Sequence, residues 1–268
     1  MQPDLLLREL ADELWHADQA ASPVEPLTER HQGLLMEDAY AIQTINIDRR
    51  LAQGARVIGR KVGLTSRPMQ ELLGVDEPDY GVLLDDMVVE DADEIDLQRL
   101  VQPRVEAEMA FVMDRDLTGP GVTTANALAA IAGALPAVEI VDSRIADWRI
   151  KLVDTVADNA SSGLLVLGGS LRRVVDLDLR LVGVVVSRGG ELLDTGAGAA
   201  ALGNPARCVA WLANKLATFG ASLEAGDVVL PGAVHRMVPV SPGDVFRADF
   251  AHLGAVTVRF SNGSEAGR

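Results

Sequence analysis

Cysteine is nearly absent from this chain. The one thiol in 268 residues, Cys208, excludes an intramolecular disulfide and a cysteine-rich zinc site. Histidine is almost as scarce. His16, His31, His235 and His252 are scattered with no His-x3-His spacing, which argues against a zinc hydrolase. Positive charge is the third shortage: 24 lysines and arginines face 39 aspartates and glutamates, for a net charge of −15. A phosphate backbone would be repelled, so no nucleic-acid partner is expected. No apolar run approaches membrane-spanning length, and Met1-Gln2-Pro3-Asp4 opens no basic segment leading into an apolar one. A cytoplasmic protein with no membrane contact is the expectation. No Gly-x-Ser-x-Gly elbow, internal repeat or low-complexity stretch is present. Gly196-Ala197-Gly198-Ala199-Ala200-Ala201 lacks the βαβ surroundings of a dinucleotide loop. Gly59-Arg60-Lys61 lacks the Gly-Lys-Ser/Thr of a phosphate loop.

What is present suffices for a sizeable core, since 48% of the residues are hydrophobic. Leu6, Leu7, Leu10 and Leu14 recur at helical spacing and predict a helix over 4–18. Pro23 and Pro26 break it, and a second helix is predicted over 37–53 with Gly54 behind it. From residue 56 the pattern becomes strand-like, with strands predicted at 57–64, 104–113, 136–142, 163–168, 181–187, 191–194, 227–231, 245–250 and 255–260. Arg188-Gly189-Gly190 marks a hairpin. Helices are predicted at 66–74, at 124–134 behind Thr123, and at 205–219, where Asn204 caps, Pro205 takes the first turn and Gly220 stops it. Pro78-Asp79-Tyr80-Gly81 reads as a turn, and 154–163 as a run of turn formers able to cap a helix or line a pocket. Strands too numerous for a regular βαβ alternation give an α+β reading: a helical segment at 1–55, a β-rich domain at 56–262 and a tail at 263–268.

The chemistry concentrates in a few carboxylates. In Pro103-Arg104-Val105-Glu106-Ala107-Glu108-Met109-Ala110-Phe111 the period of two puts Glu106 and Glu108 on one face, with Val105, Ala107, Met109 and Phe111 on the other. Two adjacent carboxylates on a strand entering the interior repel each other and are costly to desolvate. A hard divalent cation would offset that, although many strands carry Glu-x-Glu on a solvated face without one. Glu139, in the middle of a second apolar strand, is a possible third ligand if the two strands are neighbours. Lys61 lies among Ile58, Val62 and Leu64; a buried lysine would suit acid–base work. Taken alone, Lys61 reads as a surface lysine, and only one of Arg60 and Lys61 can face inward.

Five segments come in a familiar order. They are Gly59-Arg60-Lys61-Val62-Gly63-Leu64-Thr65, Pro78-Asp79-Tyr80-Gly81, Pro103 to Glu108, Leu135-Pro136-Ala137-Val138-Glu139, and Asp154-Thr155-Val156-Ala157-Asp158-Asn159-Ala160-Ser161. From about residue 36 to 260 the chain resembles the 2-keto-4-pentenoate (2-hydroxypentadienoate) hydratases, in the hydratase/decarboxylase branch of the fumarylacetoacetate hydrolase superfamily. The resemblance implies a helical N-terminal part followed by a mixed β-roll. It also implies a hydro-lyase acting on a small anionic 2-hydroxy-2,4-dienoate from meta-cleavage of aromatics. It implies Mg2+ or Mn2+ held by Glu106, Glu108 and Glu139, acid–base roles for Lys61 and Asp79, and a substrate contact at Ser161. Assembly into homo-oligomers, and association with a downstream aldolase, are further implications. The chain departs from the pattern in Leu230-Pro231-Gly232-Ala233-Val234-His235-Arg236-Met237, where Pro231 replaces a threonine and His235 a glycine. The rivals are a 4-oxalocrotonate decarboxylase, with Arg236 or His235 meeting a second carboxylate, an acylpyruvate C–C hydrolase, and a non-catalytic partner subunit.

Overall fold

In a computed structural model that describes residues 3–261, three helices come first: α1 (Pro3–Gln19), α2 (Leu27–Arg30) and α3 (Met36–Ala52). The remainder follows as β1 (Val57–Gly63), α4 (Arg67–Leu73), β2 (Asp79–Leu84), β3 (Val88–Val89), β4 (Glu94–Ile95), β5 (Pro103–Met113), α5 (Thr124–Ala130), β6 (Ile131–Asp142), α6 (Leu152–Ala157), β7 (Ser162–Leu167), β8 (Gly183–Arg188), β9 (Glu191–Ala197), α7 (Pro205–Ala217), β10 (Val228–Leu230), β11 (Val238–Pro239), β12 (Val245–Phe250) and β13 (Gly254–Phe260). The architecture is α+β, as the strand count implied. The expected tail at 263–268 lies outside the described residues.

Two sheets carry the strands. The larger runs β2-β1-β10-β5-β6-β7-β3, with β11 on the edge of β5 beyond β10, and mixes parallel with antiparallel pairs. The smaller runs β4-β13-β12-β8-β9. Its β8–β9 hairpin turns at Gly189 and Gly190, both at positive φ, as Arg188-Gly189-Gly190 foretold. Apolar side chains of both sheets and of α1, α3 and α7 meet in one core, in which Leu10, Ile42, Phe111, Ile140, Leu212 and Phe246 are fully buried. α7 shows why local sequence sufficed for some elements. Asn204 accepts a hydrogen bond from the Ala206 N–H, Pro205 opens the helix, and Val209, Leu212, Ala213 and Leu216 turn one face inward.

Three predicted elements differ. The alanine-rich helix at 124–134 ends at Ala130, because Ile131, Gly133 and Ala134 pair with Met113, Val112 and Phe111 of β5. Sheet pairing there overrides helix propensity, a preference of only a few tenths of a kcal/mol per residue. Asp79-Tyr80-Gly81 is not a turn but the start of β2, pairing with Gly63, Val62 and Lys61. The turn formers near 154 include a real helix, α6. The Asp154 carboxylate accepts the Lys151 N–H at 2.9 Å and both the Thr28 N–H and hydroxyl, tying α6 to α2.

Candidate active site

The β5–β6 register sets Glu106 directly opposite Glu139, with Glu108 two pairs further along opposite Ala137. Like charges facing each other across a sheet are destabilising. Here the three carboxylates each bring a ligand oxygen within 4.8 Å of the others. Lys61 enters from β1. It is 4% exposed, and its Nζ lies 3.2 Å from Glu139 Oε1 and donates to the Ala160 carbonyl at 3.0 Å. Arg60 faces the other way, its Nη1 donating to the Gly59 carbonyl. The surface reading of Lys61 is therefore wrong, for a reason outside its own strand: the carboxylate that neutralises it comes from β6. Asp79, brought in by β2, is buried, and its Oδ1 has no hydrogen-bond partner among the described residues. Gly63 makes room for it, since a Cβ there would lie 2.2 Å from that oxygen.

Four carboxyl groups thus surround one ammonium. At 3.2 Å, with an effective dielectric constant near 20, the Lys61–Glu139 attraction is about 5 kcal/mol, comparable with the several kcal/mol that desolvating each charge costs. One cation cannot compensate four anions on those terms. The titration behaviour agrees. Burial pushes Asp79 up to about 6 and Glu106 up to about 7, with Lys61 pulling each down and Glu139 pushing each up. Burial, with Glu139 and Glu106 beside it, holds Glu108 well above the ordinary carboxylate range. For Lys61 burial works against the charged form, but Glu139, Asp79, Glu106 and Glu108 together outweigh it and its pKa is raised. Glu139 Oε2 is buried without a partner among the described residues, while Oε1 accepts from Ser162 Oγ at 3.2 Å; Glu108 Oε2 accepts the Gly232 N–H at 2.8 Å. The donor set is all oxygen, anionic, and has free lone pairs turned inward. It fits a hard divalent cation such as Mg2+ or Mn2+.

This excess of buried negative charge has a measurable consequence. Glu106 titrates near 7 in the metal-free fold and near 4.5 when unfolded, so the native state binds the extra proton between those limits. Stability therefore falls as pH rises through that window, and the loss is complete above it. A divalent cation removes the penalty. The rise in Tm on adding Mg2+ is expected to exceed its value at about pH 5 by about 5 °C at about pH 8. An equal rise at both would count against a cation among these carboxylates.

The cluster opens into a cleft of about 730 Å3 lined by Lys61, Asp79, Arg104, Glu106, Trp148 and Ser161, with Ala233 to Met237 forming part of the wall. β10 stops at Leu230, level with Lys61, and the chain then runs as irregular backbone beside residues 106–109. There the Val234 N–H donates to the Ala107 carbonyl, and the Ala107 N–H donates to His235 Nε2 at 2.7 Å. His235 thus replaces a missing strand partner, and burial lowers its pKa, keeping it neutral. Arg236 pairs with Asp194 at 3.2 Å. Arg104 has no carboxylate within 4.0 Å among the described residues; its guanidinium stacks on Trp148, 4.4 Å from the ring centroid. His16 and His31 do not line the cleft.

The segment after α6 completes the site. Asn159, Ala160 and Ser161 all adopt left-handed backbone (φ 53°, 52° and 51°), a conformation costing each non-glycine residue about 1 kcal/mol or more. Behind them Arg144, buried, donates to Asp158 Oδ1 at 2.6 Å and to the Asp158 and Ser162 carbonyls. Burial still pushes Asp158 up to about 6 against that pull. Ser161 is buried, its hydroxyl near Asp158 Oδ2 and Thr155 Oγ1. All six residues anticipated for the site are thereby gathered. Gly63, Gly232, Arg104 and Trp148 were not singled out. Of these, Gly63 left a sequence signal, a glycine inside a strand pattern that marks a close approach.

A family pattern described as the fumarylacetoacetate (FAA) hydrolase C-terminal domain matches residues 51–261. The chain belongs to the fumarylacetoacetate hydrolase family. Within that family it is 50% identical over 254 residues to a 2-keto-4-pentenoate hydratase of Paraburkholderia xenovorans, covering 95% of this chain and 94% of the relative. It is 51% identical over 216 residues to a 2-hydroxypent-2,4-dienoate hydratase of Pseudomonas putida, covering 80% and 97%. A solved family structure, the 4-oxalocrotonate decarboxylase of Pseudomonas putida G7 complexed with magnesium and adipate, superposes with a TM-score of 0.93 at 37% identity, covering 97% of this chain and 98% of the other.

Proposed function

We propose that this protein is a metal-dependent hydro-lyase that adds water to a 2-hydroxy-2,4-dienoate of the 2-hydroxypenta-2,4-dienoate type. The product would be a 4-hydroxy-2-oxoalkanoate, in the catabolism of aromatic compounds through meta-cleavage. The observation that carries the reading is the meeting of Lys61 and Asp79 with the three-glutamate cluster at one end of a cleft large enough for a small acid. The hydratase names of relatives at half identity over most of the chain support it.

Held by Glu106, Glu108 and Glu139, Mg2+ or Mn2+ would supply Lewis-acid stabilisation of negative charge on the substrate's 2-oxygen. The protein's own groups divide the remaining tasks. Lys61, its pKa raised by the carboxylates around it in the metal-free fold, would face developing negative charge as an ammonium. Asp79, held near 6 and with one oxygen unpartnered, is the group suited to change protonation at neutral pH. In the first stage the 2-hydroxyl loses a proton and C5 gains one, giving the conjugated 2-oxo-3-enoate. In the second, water adds its hydroxyl to C4 and a proton to C3. Ser161 and the unpaired Arg104 line the same cleft and suit a substrate carboxylate, so an acidic protein presents its anionic substrate with local positive charge.

The decarboxylase alternative needs a cation for a second carboxylate. Of the two residues first considered for it, neutral His235 is committed to Ala107, and Arg236 forms an exposed pair with Asp194 at the cleft wall. Arg104 and Arg236 are the cations that line the cleft beside Lys61. Purified protein with Mg2+ is expected to bleach the absorbance of 2-hydroxypenta-2,4-dienoate faster than it releases carbon dioxide from 4-oxalocrotonate. The reverse order would transfer the reading to a decarboxylase, and inactivity towards both would favour a non-catalytic partner. Hydrolysis of an acylpyruvate in the same panel would indicate the C–C hydrolase.

A further inference from the structure

We infer that Asn159 is a positioning residue for Lys61, acting through the left-handed turn that it locks against the edge of the main sheet. β2 is that edge, so the outward N–H and C=O of Val82 have no strand to pair with. The Asn159 side chain takes both. Its Oδ1 accepts the Val82 N–H at 2.7 Å, and its Nδ2 donates to the Val82 carbonyl at 2.9 Å. One side-chain amide thus completes the sheet as a further strand residue would.

Gly81 supplies a second, independent observation. A Cβ there would lie 2.4 Å from the Asn159 carbonyl oxygen, so the sheet edge is stripped of a side chain where the turn comes down on it. Gly81 is also the register partner of Lys61. The turn is therefore seated on the residue beside the lysine, and its next carbonyl, Ala160, receives the Lys61 Nζ at 3.0 Å. The following side chains continue inward: Ser161 lines the cleft and Ser162 donates to Glu139, the other partner of Lys61. Three successive non-glycine residues in left-handed backbone would relax if nothing held them. The clamp on Val82 holds the first, and Arg144 grips the carbonyls that flank the turn, Asp158 and Ser162. Asn159 itself is placed to touch no substrate, and its task is to keep one acceptor pointed at the lysine.

This role rests on the reading that Lys61 acts on the substrate, and the test separates the two. Asn159→Gly deletes the amide while leaving a residue at ease with positive φ, so the variant folds without the strain; Asn159→Ala is its companion. Both are expected to lower kcat about 10- to 100-fold with KM little changed, the scale of a small misplacement of a catalytic group. In a Lys61→Met background the same change is expected to cost no further activity, because residues acting as one unit are not additive. Crystal structures of the variants should show Lys61 Nζ released from the Ala160 carbonyl. Wild-type kcat in Asn159→Gly, a loss that multiplies with that of Lys61→Met, or an unmoved lysine would each overturn the assignment. Wild-type inactivity on the dienoate would instead sink the hydratase reading, and the position of Lys61 in the variant crystals would still decide the role of Asn159.

Discussion

Glu106→Gln is expected to cut metal-dependent turnover about a thousandfold while making the metal-free protein more stable at about pH 8. The two effects have one origin. Glu106 sits opposite Glu139 and close to Glu108 in a site with too few cations. Burial, with Glu139 and Asp79 adding to it, pushes its pKa up to about 7, so keeping it ionised above that pH costs stability. Allowing for the part of Glu106 that still faces the cleft, the cost is ~2 kcal/mol. Neutral glutamine removes that cost. It also removes one of three anionic ligands, and with it several kcal/mol of charge stabilisation in the transition state. Loss of activity with a raised Tm separates a missing ligand from a misfolded protein, a combination typical of sites that trade stability for function. Thermal melts in chelator and initial rates with Mg2+ measure the two sides. Full activity of the variant in chelator would remove the metal from the reaction.

Lys61→Met is expected to lower kcat by about three orders of magnitude, at the upper end of what one preorganised group facing developing negative charge contributes. Its effect on the metal-free fold has the opposite sign from that of Glu106→Gln. Methionine fills the space of the lysine stem but leaves Glu139 Oε1 facing no ammonium and the Ala160 carbonyl without its donor. Removing one partner of a buried ion pair typically costs about 3–5 kcal/mol, because the other charge stays behind. A bound divalent cation restores much of this by taking over Glu139. Chelator should therefore lower the Tm of Lys61→Met much more than that of Glu106→Gln. If the two variants respond alike to chelator, Lys61 is not the counter-charge of the cluster. If Lys61→Met keeps a kcat near wild type, its place in the chemistry is lost.

Reading by residue type succeeded where the signal was periodic or carried by a motif. The Glu106/Glu108 face followed from strand alternation alone. The α7 cap followed from Asn204 and Pro205, and the β8–β9 turn from two glycines. It failed where distant chain decides. Asp79 looked like a turn residue because Pro78 and Gly81 flank it, yet pairing with β1 makes Asp79 to Gly81 part of an edge strand. Ile131 to Ala134 looked helical because alanine is a good helix former, yet the length of β5 demands a partner. Lys61 carries no local mark of burial.

The amino-acid sequence by itself carried the α+β reading and excluded an intramolecular disulfide and a cysteine-rich zinc site, because these depend on composition, period and spacing. Its five motifs in order carried the resemblance to the family that the match over residues 51–261 shows. Only the tertiary structure decided that Glu139 faces Glu106 across a strand pair and that Lys61 is the buried cation among four carboxyl groups. The structure also showed that His235 is already engaged with Ala107 and that Asn159 closes the sheet edge beside Lys61. Each of these is a meeting of segments far apart in the chain. Charge neutralisation and hydrogen-bond pairing are properties of the meeting, not of either segment.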